Sequence, residues 1–290
     1  MNNKILVTGA TGQLGTAAID HLITKTAPGQ VAALVRDPAK ATALKEKGAE
    51  IRVASYDDTD ALRTAMHGVT KVLLVSSNDH GRLFEQHAGV IDAARHAGVE
   101  HLVYTGTAVK DTEASPMSPM LQAHFRTEDH LKNSGVGYTI LRNTMYLDVL
   151  PVFSGPSLLD HGIHLPAGDG KIPFALRREM GEAAANVLLK DAPTNATYHL
   201  TAPQSVTFKD IADTLSRQTG KTVPFSSPEP HAFQDTLRAA GVPEPGVNVL
   251  SAFVTDMREG RYDIVTSDLA ALLGRTPATL ADGLNEVLGL

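Results

Sequence analysis

The chain has 290 residues, of which 42% are hydrophobic and 20% are charged, and its net charge is −6; these values are typical of a globular protein with one large or two smaller domains. The acidic balance and the lack of tryptophan argue against a nucleic-acid-binding protein, while the lack of cysteine excludes disulfides, thiolate metal sites and cysteine nucleophiles. No apolar segment reaches the ~20 residues that a membrane-spanning helix needs, and only MNNK precedes the first apolar run, so we expect no signal peptide and a cytoplasmic protein.

Short apolar runs alternate with helical patterns through the first half of the chain. The apolar runs predict strands at residues 5–7, 31–35, 51–54, 72–75, 101–105 and 138–141. The segments between them predict helices at residues 16–25, 39–47, 59–66, 84–96 and around 123–133. This alternation predicts an α/β fold, a Rossmann-like, doubly wound parallel sheet built from βαβ units.

The strict alternation ends near residue 150, and proline and glycine are frequent from 151 to 173. We predict a helix at 183–189, a strand near 197–201 that returns to the main sheet, and a helix at 208–219 between Thr207 and Gly220. We therefore predict an NADP-binding domain over 1–150, completed by that strand. Residues 151–290 then form mostly a smaller, mainly helical substrate-binding lobe above the carboxyl ends of the strands.

The first predicted strand leads directly into three evenly spaced glycines, Gly9, Gly12 and Gly15. Gly9 permits a tight turn, Gly12 lets backbone N–H groups approach a pyrophosphate, and Gly15 lets the next helix pack closely on the strand. A glycine triplet alone is a weak signal, but the strand before it and the helix after it supply the required context. The segment predicts a dinucleotide-binding loop.

Arg36 follows the second predicted strand, where NAD-binding folds carry an acidic residue for the ribose 2′-hydroxyl. A guanidinium suits a 2′-phosphate, because it donates two parallel hydrogen bonds, and Lys40 adds positive charge. Asp37 precedes a proline and is expected to begin a turn or cap the next helix. The alternative is that Arg36 is a solvated loop residue. We predict NADPH rather than NADH as the cofactor.

The catalytic patterns of several enzyme classes are missing from the chain. None of the six tyrosines is followed four positions later by lysine, so the Tyr–Lys pair that protonates an alkoxide in ordinary short-chain dehydrogenases is absent. A ketone needs such a proton donor, whereas a quinone or a cationic dye accepts hydride with little acid assistance. The Gly-x-Ser-x-Gly of serine hydrolases does not occur either.

One pair of histidines, His161 and His164 beside Asp160, has a spacing that occurs in metal sites. The segment is interrupted by glycine and offers no further ligand, so we predict no metal.

Five segments together resemble the NmrA-like atypical short-chain dehydrogenase/reductases over nearly the whole chain. These segments are VTGATGQLG (7–15), LVRDPAK (34–40), YTILRN (138–143), GDGK (168–171) and the helix start at Thr207. Within that family the resemblance is to the branch of bacterial NADPH:quinone oxidoreductases of type 2 and triphenylmethane dye reductases. It implies an NADPH-dependent reductase of a quinone or a similar electron-poor aromatic compound, with a cleft between two lobes, and it leaves a homodimer open. The alternative within the family is an NADP-sensing regulator without turnover.

The resemblance also implies which residues form the site. Cofactor binding then falls on the glycine loop, the ends of the second, fourth and fifth strands, and the segment that begins at the end of the sixth strand: Gly9, Ala10, Thr11, Gly12, Gln13, Leu14, Gly15, Arg36, Lys40, Ser76, Ser77, Asn78, Thr105, Gly106, Asn143, Thr144, Met145 and Tyr146. The implied catalytic residues are His124, Asn143 and Tyr146. His124 stands where many relatives carry a catalytic lysine; in the cleft it would donate a proton, because the ordinary pKa of histidine lies near neutrality, and the alternative is a helix residue facing solvent.

Two departures from the family pattern bear on binding. Ser55 stands where relatives usually have an aspartate that contacts adenine, so adenine is held less firmly or Asp57 takes over. Residues 110–120 diverge most, and we predict that they form part of the rim of the substrate pocket.

Overall fold

The computed structural model describes residues 3–155 and 157–290. Met1, Asn2 and Pro156 lie outside the described residues. The strands are β1 (Lys4–Val7), β2 (Val31–Val35), β3 (Glu50–Val53), β4 (Val69–Leu74), β5 (His101–Thr107), β6 (Gly137–Asn143), β7 (Ile163–His164), β8 (Ala196–Leu200) and β9 (Phe225–Ser226). The helices are α1 (Gln13–Lys25), α2 (Thr42–Glu46), α3 (Thr59–Ala65), α4 (Leu83–His96), α5 (Ser118–Asn133), α6 (Leu150–Ser154), α7 (Leu158–His161), α8 (Arg177–Leu188), α9 (Phe208–Thr219), α10 (Pro230–Ala239), α11 (Glu244–Arg258), α12 (Asp268–Leu273) and α13 (Leu280–Leu288). Short 3₁₀ turns cover Pro38–Ala41 and Leu147–Val149. Within the described ranges, no helix has both the length and the apolar character needed to cross a membrane.

Seven strands form one sheet in the order β3-β2-β1-β4-β5-β6-β8, and each neighbouring pair is parallel. The order reverses on either side of β1, which pairs with β2 through Val7 and Ala33 and with β4 through Val7 and Leu73. All five residues of β2 are buried, as expected for a strand covered on both faces. The predicted Rossmann-like fold is confirmed, and the predicted returning strand is β8, which pairs with β6.

Helices cover both faces of the sheet. One buried cluster joins the sheet to α1, α8 and α12, and a second joins the other face to α3, α4 and α5. The helix predicted at 183–189 begins earlier, at Arg177, and contains Gly181. A Cβ atom on Gly181 would lie 2.7 Å from the carbonyl oxygen of Leu14, so glycine allows α8 to pack directly against α1. Helix α5 also begins earlier than predicted, at Ser118. Pro119 is tolerated in its first turn, because a missing N–H there breaks no helical hydrogen bond.

Elements α6, α7, α9, α10, α11 and α13, with the short strands β7 and β9, form the predicted lobe around a separate apolar core, whereas Leu44 of α2 packs in the first sheet cluster. That core includes Phe174 and Phe208, whose ring centroids lie 5.8 Å apart, together with Ile211 and Met257. The predicted helix 208–219 is confirmed as α9: Thr207 and Asp210 form a reciprocal capping box. The boundary at residue 150 stays a prediction. However, α8, β8 and α12 follow that boundary in the chain and still belong to the layers of the sheet.

Candidate cofactor-binding and active site

A cleft of about 750 Å³ lies at the carboxyl ends of β1, β2 and β4. This is the point where the strand order reverses, which is the usual ligand site of such sheets. Its lining comes from the glycine loop, the ends of the second, third and fourth strands, and three separate side chains: Gly9, Ala10, Thr11, Gly12, Gln13, Leu14, Gly15, Leu34, Val35, Arg36, Ala54, Ser55, Tyr56, Asp57, Val75, Ser76, Ser77, Asn78, Asp79, Gln86, Tyr146 and Arg177.

The glycine loop has the geometry that the sequence predicts. Gly9 has a φ of 56°, and its carbonyl oxygen accepts a hydrogen bond of 3.0 Å from the N–H of Gly12. A Cβ atom on Gly15 would overlap that carbonyl group, at 2.9 Å from the Gly9 carbonyl carbon. Gly12 precedes α1 without a side-chain cap, and the first turn of α1 carries no acidic residue. The first N–H groups of α1 are therefore available to an anion in the cleft.

Arg36 and Lys40, predicted together at the adenosine end, occupy different environments. Arg36 lines the cleft. Lys40 lies in the 3₁₀ turn that follows, is exposed to solvent and does not line the cleft. The carboxylate of Asp37 accepts a hydrogen bond of 3.0 Å from the Ala39 N–H. Asp37 therefore caps this turn, as predicted, and Arg36 is the cation that faces the cleft.

Ser55 and Asp57 both line the cleft at the end of β3. The Asp57 carboxylate accepts a hydrogen bond of 3.0 Å from Gln86 Nε2 and lies 3.0 Å from Arg82 Nη1. These contacts hold the Asp57 carboxylate in place, and both alternatives, a weaker hold on adenine or an adenine contact from Asp57, stay predictions.

The loop after β4 is held from behind by buried side chains. The Ser76 N–H donates to Thr105 Oγ1 at 3.0 Å, and the Ser77 N–H donates to His87 Nε2 at 2.9 Å. Because Nε2 accepts, the proton of the neutral ring lies on Nδ1, which is 3.2 Å from Thr127 Oγ1. Burial lowers the pKa of His87 to about 3. Thr105 and His87 thus place the backbone that lines the cleft.

At the other end of the cleft, Tyr146 lines the space and Asn143 lies behind it. Asn143 Nδ2 donates to the Tyr146 hydroxyl at 3.1 Å, which leaves the phenol proton free for another acceptor. Burial raises the pKa of Tyr146. Asn143 Oδ1 and Thr144 Oγ1 are buried and have no hydrogen-bond partner within the described part of the chain, so this end offers polar atoms for a ligand.

His124 occupies neither of the two positions considered from the sequence. It is only 8% exposed, so it does not face solvent, and it is not among the cleft-lining residues. Its Nδ1 lies 2.6 Å from the Tyr104 hydroxyl. Burial lowers the pKa of His124 to about 4, so the ring is neutral at pH 7.

The lining set and the predicted set overlap but are not identical. Six predicted cofactor residues lie outside the lining: Lys40, Thr105, Gly106, Asn143, Thr144 and Met145. Conversely, Tyr56, Gln86 and Arg177 line the cleft and were not predicted. A signal for Arg177 exists in the sequence, since two arginines begin α8, where acidic residues are favoured.

Of the two histidines considered as metal ligands, His164 has a protein partner at each ring nitrogen. His164 Nδ1 lies 2.6 Å from Ser226 Oγ, and its Nε2 lies 2.7 Å from the His161 carbonyl oxygen. Across residues 3–155 and 157–290 there is no group of three or more metal-ligating side chains.

Comparison with known proteins agrees with this architecture. A sequence model of the NmrA-like family matches residues 1–271. Quinone oxidoreductase 2 of Escherichia coli is 36% identical over 287 residues, which cover 99% of each chain. The crystal structure of the NADPH-dependent quinone oxidoreductase of Escherichia coli in complex with NADPH superposes with a TM-score of 0.90 at 35% identity, over 98% of this chain and 99% of that one. The Citrobacter sp. triphenylmethane reductase in complex with NADP(H) superposes with a TM-score of 0.89 at 34% identity, over 98% and 100%. The family resemblance read from the sequence is confirmed, and the chain belongs to the NmrA-like family.

Proposed function

We propose that the chain is an NADPH-dependent reductase that transfers hydride to a quinone or a similar electron-poor aromatic compound. The observation that carries the cofactor assignment is the cleft itself, in which an uncapped helix N-terminus and Arg36 face the same space. The relatives that support the substrate class are a quinone oxidoreductase and a triphenylmethane reductase, each solved with NADPH or NADP(H).

The residues of the cleft fit NADPH in two places, and Asn143 beside the cleft adds a third. The free N–H groups at the start of α1 suit the pyrophosphate, and the Arg36 guanidinium suits the 2′-phosphate. Near the Tyr146 end, the buried oxygen of Asn143 has no partner in the described structure and offers an acceptor for an amide N–H. NADPH supplies the hydride when it is bound, so this chain needs to supply binding, orientation and a proton.

We propose Tyr146 as the proton donor, with Asn143 as the group that orients it. The Tyr146 hydroxyl accepts from Asn143 Nδ2, so its own proton is available on the cleft side. The phenol carries its proton at neutral pH, as tyrosine ordinarily does, and burial raises its pKa further, so it gives up that proton only to a strongly basic oxygen. Hydride addition to a neutral quinone leaves negative charge on an oxygen, which a phenol can protonate. His124 remains the third predicted catalytic residue, in neutral form and linked to Tyr104.

The test is the rate of NADPH oxidation by the purified protein, followed by the absorbance of the reduced nicotinamide. We expect 1,4-benzoquinone or a cationic triphenylmethane dye to accelerate the oxidation, and NADH to be a weaker donor. If NADPH binds and neither acceptor accelerates its oxidation, the reductase proposal fails and a sensor without turnover is favoured. A cytoplasmic location and a homodimer remain predictions from the sequence and the resemblance.

A further inference from the structure

Arg177 is the second basic residue that lines the cleft, and it lies at the opposite end from Arg36. It is the first residue of α8, and its backbone N–H donates to Asp148 Oδ2 at 3.0 Å. Ala175, two residues before Arg177, forms a parallel β-bridge with Tyr146. The backbone of Arg177 is therefore fixed relative to Tyr146.

The side chain of Arg177 connects two parts of the site that are far apart in sequence. Its Nη1 donates to Gln13 Oε1 in the first turn of α1. Its guanidinium carbon lies 4.6 Å from the centroid of the Tyr146 ring, a cation–π arrangement. The guanidinium has five N–H donors, so donors remain for a ligand after the Gln13 bond.

The Arg177 guanidinium forms no ion pair in the described part of the chain, and the Asp148 carboxylate beside it bonds to the backbone N–H of Arg177. The neighbouring Arg178 lies 2.7 Å from the Glu286 carboxylate, whereas within the described residues no carboxylate lies within 4.0 Å of the Arg177 side chain. A cation in the first turn of α8 is also opposed by the helix dipole. Both features make the position favourable for an anion, and the free N–H groups of α1 beside Gln13 favour an anion at the same place.

From this geometry we infer that Arg177 binds the pyrophosphate of NADPH and couples it to Tyr146, which makes it a cofactor-binding residue contributed by the later part of the chain. This inference rests on the proposed function. It divides the cleft into two cationic subsites: Arg36 distinguishes NADPH from NADH, and Arg177 contacts a group that the two cofactors share.

The test uses the full chain with Arg177→Gln, Arg177→Lys and the matched control Arg178→Gln. Calorimetry measures the Kd of NADPH, NADH and adenosine 2′-monophosphate, which has no pyrophosphate. We expect Arg177→Gln to raise the Kd of NADPH and NADH by the same factor, about 10- to 100-fold, and to leave that of adenosine 2′-monophosphate unchanged. Arg177→Lys should give an intermediate loss, because it keeps the charge without the planar fork. Arg178→Gln should bind all three like the wild type.

Two results would overturn the inference. Equal binding of NADPH by Arg177→Gln and the wild type would show that Arg177 has no part in cofactor binding, and a loss confined to NADPH would move Arg177 to the 2′-phosphate. Circular dichroism of each variant separates loss of binding from loss of folding, and Arg177→Lys keeps the test decisive if Arg177→Gln does not fold. Failure of the proposed function gives a different result, because the wild type itself would then bind no NADPH. Failure of the Arg177 inference alone leaves NADPH binding by the wild type intact.

Discussion

Replacing Gly15 with alanine has two opposite effects on stability: alanine favours the helix, but its Cβ atom overlaps the neighbouring backbone. In the interior of a helix Gly→Ala normally stabilises by about 1 kcal/mol, which is an upper bound for Gly15 because it lies in the first turn of α1. At Gly15 the added Cβ would overlap the Gly9 carbonyl oxygen, and it would lie 2.9 Å from the Gly9 carbonyl carbon and 3.0 Å from the Ala10 Cα. These are backbone atoms, and Gly9 is also tied to Gly12 by a hydrogen bond of 3.0 Å, so the loop cannot yield without losing its shape.

Forced overlap of this kind costs roughly 1–3 kcal/mol, and rigid backbone neighbours place Gly15 at the upper end. After subtraction of the helix gain, we expect Gly15→Ala to lower the free energy of unfolding by about 2 kcal/mol. Because the shifted loop is also the pyrophosphate site, NADPH affinity should fall at least about tenfold.

The matched control is Gly89→Ala in α4. There the nearest atoms to an added Cβ are the Tyr56 carbonyl oxygen at 3.6 Å and Leu62 Cδ1 at 4.0 Å, which are ordinary contacts, so we expect stabilisation of about 0.5–1 kcal/mol. Urea unfolding measures both variants, and titration with NADPH measures binding. Wild-type stability together with wild-type NADPH affinity in Gly15→Ala would refute the packing argument.

Three further predictions concern the cofactor, the proton and acid stability. Arg36→Ala should weaken NADPH binding by about 1.5–3 kcal/mol and leave NADH nearly unchanged; an equal loss for both cofactors in the same titration would contradict the 2′-phosphate assignment. Tyr146→Phe should slow the reduction of 1,4-benzoquinone more than that of a cationic triphenylmethane dye in stopped-flow assays, because hydride addition neutralises the dye without a proton; equal slowing would assign Tyr146 to orientation alone. His87, His101 and His124 have pKa values lowered by burial to about 3, 4 and 4, below the value of about 6.5 in the unfolded chain. The unfolded chain therefore binds more protons, so the free energy of unfolding should be fully present above pH 6.5 and should decrease as the pH falls toward 4; urea unfolding at pH 7, 6 and 5 would show no such decrease if these rings were solvated.

Local sequence patterns were sufficient for the sheet and for the glycine loop. Most strands before β7 contain a short apolar run, although β3 alternates charged and apolar residues, and the turn at Gly9 depends on residues within a few positions of it. Arg36 was also predictable, because it directly follows β2 and its place is set by the sheet alone.

The rest of the site depends on contacts between distant segments, which local patterns do not contain. Arg177 and Gln13 are 164 positions apart, and only the packing of α8 on α1 brings them together. His124 lies on the predicted helix, but whether it faces the cleft, solvent or Tyr104 depends on the rotation of α5 against β5. The same rotation decides its burial and hence its pKa.

The order of the sheet elements along the chain also bears on how the protein folds. Helix α1 is made early, yet its buried face is covered by α8, and β6 gains its outer neighbour only when β8 has been made. A nascent chain of 150 residues would therefore expose the apolar side of α1 and an open edge at β6, both of which favour aggregation. We expect that a fragment ending at residue 150 is insoluble on its own, and that co-expression with residues 151–290 restores it. In this protein the segments of the lobe alternate along the chain with α8, β8 and α12 of the sheet layers, so the cofactor cleft and the surface above it form together.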